Sequence, residues 1–255
     1  HTSGTTGGGL HFATTEDAIA EQWAVWWKYR NSHGIKRGTL CGYFAGRSIV
    51  PAHQKYPPFW RHNHPGNQIM FSGYHMNPAN LASYIAKLRE ARPPWLHGYP
   101  SLLSLLAAYL LESGKDLGYQ VKWITIGAEN LMAYQVKLIR DAFGIHAIQH
   151  YGMAEAVANI SETFDGQLKV DEEFAAVEFI SNPQGLGHKI IGTNLSNLAT
   201  PLLRYDTQDI VEVIHPGSKV AKIRIVGSID GREEDYIVLP DGTRLGRMDH
   251  IFKDM

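Results

Sequence analysis

Five short segments of this chain carry residue types that can do chemistry together. The first is Thr2-Ser3-Gly4-Thr5-Thr6-Gly7-Gly8-Gly9, dense in backbone N–H groups and small hydroxyls. Glycines let a backbone approach phosphate oxygens closely, and N–H dipoles favour anions. No Lys follows Gly7, so this is not a Walker loop, and its spacing is not that of a dinucleotide fingerprint. The second is Gly127-Ala128-Glu129-Asn130-Leu131. The third, Gln149-His150-Tyr151-Gly152-Met153-Ala154-Glu155, offers a ring that can stack on a purine and a carboxylate that can hold Mg²⁺. The fourth, Arg204-Tyr205-Asp206-Thr207-Gln208-Asp209, ends in a carboxylate able to accept two ribose hydroxyls. The fifth, Gly231-Arg232-Glu233-Glu234-Asp235, sets a glycine before a charge cluster, as a hinge would. Taken singly, each reads equally well as a linker, a strand exit, a turn or a solvated loop.

These segments need a scaffold, and the hydropathy pattern supplies one. Residues Glu16 to Tyr29 have helical spacing, with Thr15 as N-cap, and the stripe Trp23, Trp26, Trp27 is expected in the core. Thr39–Ala45 reads as a strand. Arg47–Pro65, with four prolines, reads as an ordered irregular loop. A helix Asn80–Glu90, a strand Trp95–Gly98, a helix Ser101–Glu112 ended by Gly114, a strand Val121–Ile126, a helix Met132–Phe143 and a strand Ala147–Tyr151 follow. This alternation predicts a parallel α/β sheet, whose ligands bind beyond the carboxyl ends of the strands. After residue 159 the segments Ala176–Ile180, Lys189–Thr193, Ile210–Ile214 and Ala221–Val226 predict a β-rich part, and Pro240-Asp241-Gly242 a closing turn.

Composition excludes several classes. The chain has 255 residues, 44% hydrophobic and 19% charged, with 24 Lys plus Arg against 25 Asp plus Glu. That balance argues against disorder and against a nucleic-acid-binding surface. One cysteine, Cys41, excludes an internal disulfide and a multi-cysteine zinc site. His62-Asn63-His64 has no Cys or acidic partner at ligand spacing, so no metal is assigned there. No stretch is long enough to span a membrane and no signal peptide begins the chain, so a cytoplasmic location is expected. The sequence sets no oligomeric state.

The order of the five segments resembles the core motif series of the adenylate-forming superfamily, which includes acyl-CoA synthetases, phenylacetate-CoA ligases and the adenylation domains of peptide synthetases. Phe44-Ala45-Gly46-Arg47, Pro58-Phe59-Trp60-Arg61, Phe71-Ser72-Gly73-Tyr74-His75, Trp95-Leu96-His97-Gly98-Tyr99-Pro100-Ser101 and Gly246-Arg247-Met248-Asp249-His250-Ile251-Phe252-Lys253 are similar to the CapK branch, close to phenylacetate-CoA ligase and often encoded with polysaccharide genes. The resemblance implies that ATP activates a small carboxylic acid as an acyl-adenylate, which then passes to CoA or another acceptor. It implies that Thr2, Ser3, Gly4, Thr5, Thr6 and Gly7 hold the β- and γ-phosphates. Tyr151 and Gly152 would meet adenine, with Gly127, Ala128, Glu129 and Gln149 lining the same slot. Glu155 would bind Mg²⁺, Asp209 and Arg232 the ribose, and Glu234 would be the hinge. Tyr74 and His75 would gate an acyl pocket lined by Tyr99 and Pro100. Catalytic roles fall to His75, Glu155 and Arg232. Mg²⁺, dipoles and cations must offset the repulsion between two reacting anions, and no nucleophilic side chain is needed.

The expected organisation is an α/β nucleotide- and acyl-binding part at 1–158, a β-rich part at 159–230, and a hinge opening a C-terminal region at 231–255. The family's lysine-bearing lid domain lies beyond such a hinge, so these residues are expected to be the large N-terminal portion of an adenylate-forming enzyme. Ala154 stands where the family has a hydroxyl, Gln208 where it has a Gly, and Gly8-Gly9 where it has Pro-Lys. Those positions give a second reading, a catalytically inactive nucleotide-binding or scaffold protein of a polysaccharide system.

Overall fold

The strand–helix alternation expected between residues 39 and 151 forms as a parallel sheet in a computed structural model that describes residues 10–182, 187–217, 223–232, 237–238 and 244–245. Its strands are β1 (Cys41–Ala45), β2 (Trp60–Asn63), β3 (Gln68–Ser72), β4 (Trp95–Gly98), β5 (Trp123–Ile126) and β6 (Ala147–Gly152), in the order β2-β3-β1-β4-β5-β6. All neighbours are parallel except β2, which pairs antiparallel with β3. The crossovers carry α2 (Leu81–Ala91), α3 (Pro100–Ser113) and α4 (Ala133–Phe143). Each crossover steps the same way along the sheet, so right-handed connections place all three helices on one face.

The core explains why these segments fold as they do. Leu81, Tyr84, Ile85 and Leu88 recur at helical spacing and are buried against Phe44, Phe71 and Leu96. Each such side chain contributes roughly 1.5–3 kcal/mol by leaving water. Helix α3 begins with Pro100 at its first turn and ends at Gly114, whose φ of 62° closes it in the left-handed region. Gly98 is required at the end of β4: a Cβ there would sit 2.2 Å from the Phe44 carbonyl oxygen.

The contacts group the chain into two units. One comprises the described residues of 35–149, the sheet above with its helices. The other comprises the described residues of 1–34 and 150–246, and β6 carries the chain from one to the other. In the second unit, β7 (Asn159–Glu162), β8 (Leu168–Val170), β9 (Ala175–Ser181), β10 (His188–Asn194), β11 (Tyr205–His215) and β12 (Ile225–Arg232) form antiparallel pairs in the order β7-β8-β12-β11-β10-β9, with His150–Gly152 of β6 against β7. A separate pair joins β13 (Ile237–Val238) to β14 (Arg244–Leu245).

Several points differ from the sequence expectation, and strands β3, β7 and β8 fall in segments where none was expected. Helix α1 (Glu16–Ser32) belongs with the β-rich unit rather than with the parallel sheet: Val25 enters that unit's core and Gln22 Nε2 donates to the Met153 carbonyl at 3.0 Å. Trp23 is 47% exposed, so the tryptophan stripe is not wholly core. Strand β2 forms inside the proline-rich Arg47–Pro65 segment, because Pro57 and Pro58 precede it and leave its own amide groups free to pair with β3. The Ala221–Val226 strand is displaced toward the C-terminus: β12 starts at Ile225 and runs to Arg232, taking in Gly231 and Arg232, which the sequence assigned to a hinge. The Pro240-Asp241-Gly242 turn lies outside the described residues.

Candidate functional site

In the parallel unit the site is positioned by register. Phe44 pairs with Gly98, Ala45 with Ser72, Gly98 with Ile126 and Ile126 with Gln149. The residues that follow β1, β3, β4 and β5 therefore leave the sheet along one carboxyl edge: Gly46-Arg47, Gly73-Tyr74-His75, Tyr99-Pro100 and Gly127-Ala128-Glu129. This is the edge at which open α/β sheets bind ligands. Tyr99 donates its amide N–H to the Phe44 carbonyl at 2.9 Å and caps α3. Its ring lies against Gly46, where an added Cβ would sit 3.1 Å from it. Tyr74 is 42% exposed, and its hydroxyl lies 3.5 Å from the Gly46 carbonyl.

His75 behaves differently from its neighbour. It is 6% exposed, stacks on Phe59 at 4.9 Å, and places Nδ1 2.8 Å from the Ser72 hydroxyl. Its Nε2 is buried with no hydrogen-bond partner. Glu129 is tied to the start of α3, its carboxylate accepting from the Ser101 amide at 3.1 Å and the Ser101 hydroxyl at 3.0 Å. A carboxylate at a helix N-terminus is favoured by the helix dipole. Ala128, at φ 66°, holds the left-handed turn between Gly127 and Glu129. Pro100 is buried at the first turn of α3.

In the β-rich unit, two segments 58 residues apart meet. The Tyr151 hydroxyl donates to the Asp209 carboxylate at 2.6 Å. Burial and the charge of Asp209 push the Tyr151 phenol well above its ordinary value, and the Glu155 carboxylate adds to that shift. Glu155 is 4% exposed, and its carboxylate accepts from the Tyr205 hydroxyl at 3.4 Å. Backbone pairing sets Arg232 opposite Asp209. Tyr151, Glu155, Tyr205 and Asp209 thus converge, and Gly152 pairs with Asn159 beside them.

Two positions that differ from the family pattern resolve differently. Gln208 has φ 63°, in the left-handed region a glycine favours, and its amide donates to the Asp206 carboxylate at 2.8 Å. The backbone that a glycine would supply is therefore kept. Ala154 is exposed and has no hydroxyl to offer. Thr2, Ser3, Gly4, Thr5, Thr6, Gly7 and Glu234 lie outside the described residues.

The buried Glu155 fits a cation. Among the described residues no group of three or more His, Cys, Asp or Glu side chains is gathered for a metal. A single buried carboxylate with one long hydrogen bond suits Mg²⁺ that takes its remaining ligands from phosphates and water.

Sequence reasoning missed His150. On the strand residue before Tyr151, its ring stacks on Tyr29 at 4.7 Å and meets the Trp26 ring edge-on at 5.9 Å. Its Nε2 lies 2.9 Å from Asn159 Oδ1, and Asn159 Nδ2 donates to Asp171 at 2.6 Å, as does the Ser161 hydroxyl. Asn159 cannot donate through Oδ1, so His150 donates from Nε2. Its pKa is lowered to about 4, chiefly by burial with the nearby Arg30 charge adding to it, against the opposing Asn159 hydrogen bond. Only the polar residues opposite it on β7 could have signalled this network.

No protein-family model matches the chain. It is 31% identical over 238 residues to Protein CapK of Staphylococcus aureus, covering 92% of this chain and 53% of CapK. It is 25% identical over 175 residues to a phenylacetate-coenzyme A ligase of Pseudomonas putida, covering 64% of this chain and 39% of that protein. The chain therefore spans about half the length, or less, of these curated relatives. Among solved structures, a 2-hydroxyisobutyryl-CoA ligase in the postadenylation state, in complex with R3-HIB-AMP, has the same fold, with a TM-score of 0.61 and 16% identity over 93% of this chain and 54% of that one. Fold and relatives together define the class as adenylate-forming ligases. Within it, the chain belongs to the CapK and phenylacetate-CoA ligase branch. Among the described residues, no helix is long and apolar enough to cross a membrane.

Proposed function

We propose that this chain carries the nucleotide- and acid-binding part of a ligase that activates a carboxylic acid with ATP. The product is an acyl-adenylate, passed on to a thiol such as that of CoA. The observation that carries this reading is the meeting of Tyr151, Glu155 and Asp209, motif residues from two segments far apart in sequence, in one place. Tyr151 offers a ring face to adenine while its hydroxyl fixes the Asp209 carboxylate for the ribose hydroxyls. Glu155 would hold Mg²⁺, which supplies neutralising charge to the phosphates when bound. The motif resemblance assigns adenine contacts to Gly127, Ala128, Glu129 and Gln149, the ribose to Arg232 with Asp209, and the β- and γ-phosphates to Thr2 to Gly7. On the carboxyl edge of the parallel sheet, Tyr74, His75, Tyr99 and Pro100 receive the acid. The relatives support the class of chemistry: one is named a CoA ligase, and the solved neighbour holds an acyl-AMP. The reaction belongs in the cytoplasm, where ATP is available and Cys41 stays reduced.

The exposed alanine at position 154 favours the second reading, a nucleotide-binding protein without catalysis. Acid-dependent exchange of pyrophosphate into ATP, measured on full-length protein containing this chain, separates the two. Exchange that depends on an added acid supports the ligase. AMP binding without exchange for any acid supports the inactive protein.

A further inference from the structure

The stretch that builds β1, β2, β3 and most of α2 has an unusual charge. From Ile35 to Arg89 the sequence contains no Asp or Glu, against seven Lys or Arg and four His. Within that stretch, Arg47 directly follows Gly46, the residue enclosed by the Tyr99 ring and the Tyr74 hydroxyl. Arg47 is exposed, and its guanidinium makes no hydrogen bond or ion pair with the described residues. Its backbone N–H donates to the Ala45 carbonyl at 2.8 Å, so the turn that presents it is fixed. On the same strand-end row, His75 keeps a buried Nε2 without a partner. The acid that follows β5, Glu129, is two strands away from β1 and is held by Ser101.

An acid with a purely apolar chain would leave the exposed Arg47 guanidinium at this edge without a partner among the described residues. We infer that the acid taken by this site carries a second oxyanion, besides the carboxylate to be activated, and that Arg47 pairs with it. This rests on the ligase reading above and adds the substrate class to it. A planar guanidinium binds a carboxylate, phosphate or sulfate in a two-point fork.

The test uses full-length protein containing this chain and pairs of acids that share a skeleton: butyrate with succinate, benzoate with terephthalate, glycerate with 3-phosphoglycerate. Pyrophosphate exchange is expected to favour the doubly anionic member of at least one pair by about tenfold or more in kcat/KM. The carboxylate and phosphate pairs distinguish the two oxyanions. Arg47→Ala should raise KM for that acid about tenfold and leave its singly anionic partner unchanged, and Arg47→Lys should recover part of the loss. Arg47 is exposed, so neither variant should unfold the protein. Equal use of both members of every pair, or an equal effect of Arg47→Ala on both, overturns the inference and leaves the ligase reading standing. Exchange with no acid at all overturns both.

Discussion

The hydroxyl of Tyr151 donates to the carboxylate of Asp209 at 2.6 Å, joining the end of β6 to the middle of β11. This bond gives Tyr151 two separable duties. Its ring can stack on a base, worth roughly 1–3 kcal/mol, and its hydroxyl orients the group proposed to bind ribose. Tyr151→Ala should weaken AMP binding about tenfold or more, and Tyr151→Phe, which keeps the ring, should weaken it less. Titration calorimetry with AMP checks both, and equal losses for the two variants would show that only the hydroxyl matters.

The raised pKa of Tyr151 fixes a pH window. A phenol that titrates higher in the folded state holds its proton after the unfolded chain has begun to lose it near pH 10. Its contribution to stability is complete below that pH and is lost as the pH rises through the folded value. Tyr151→Phe should therefore flatten the fall in urea-unfolding free energy above pH 10. A fall unchanged by the substitution would place its origin in Tyr84 or Tyr119, whose phenols burial also raises.

His150 gives the opposite sign. Its folded pKa of about 4 lies below the ordinary 6.5, so the unfolded chain binds the extra proton first. Stability is fully present above pH 6.5 and falls as the pH drops toward 4, by about 3 kcal/mol at most. His150→Phe retains a ring against Tyr29, although it strands the Asn159 carbonyl oxygen. The variant should be less stable at pH 7, yet lose less between pH 7 and pH 4.5 than the parent. Equal losses in urea melts at those two pH values would remove His150 as the cause.

Much of the parallel unit was legible because its helices bury one regular face. The apolar residues of α2, for instance, mark it to within a residue of its observed bounds. Strand β2 was not, since an edge strand with Arg61 and His62 exposed has no buried alternation to read. Strand β7 was hidden for the reverse reason. All four of its residues are buried, but Asn159, Ser161 and Glu162 are polar, and what makes their burial tolerable is hydrogen bonding that no periodicity reports. The proposed site residues were picked out as an ordered set of motifs. The Tyr151–Asp209 bond and the buried Nε2 of His75 depend on geometry and were not.

Gly98 tests how tightly β4 must pack on β1 ahead of Tyr99. Its missing side chain lets β4 lie against Phe44, and Tyr99 follows it directly. Gly98→Ala should destabilise the protein by about 1–3 kcal/mol, the usual cost of forcing extra volume into a packed core. Thermal unfolding reads that directly, and a melting temperature like the parent's would mean the two strands separate without cost.

Glu155→Gln keeps shape and hydrogen bonding while removing charge. If the buried carboxylate holds Mg²⁺, the variant should bind AMP, which needs no metal, nearly as the parent does. Its use of Mg-ATP should fall by about 10²–10³, the loss typical of removing one charge-stabilising contact from a reacting centre. The comparison is AMP affinity by calorimetry against the Mg²⁺ dependence of pyrophosphate exchange in full-length protein. Loss of AMP binding together with exchange would show that Glu155 supports the site's shape rather than a metal. An unchanged Mg²⁺ dependence would rule out the metal role outright.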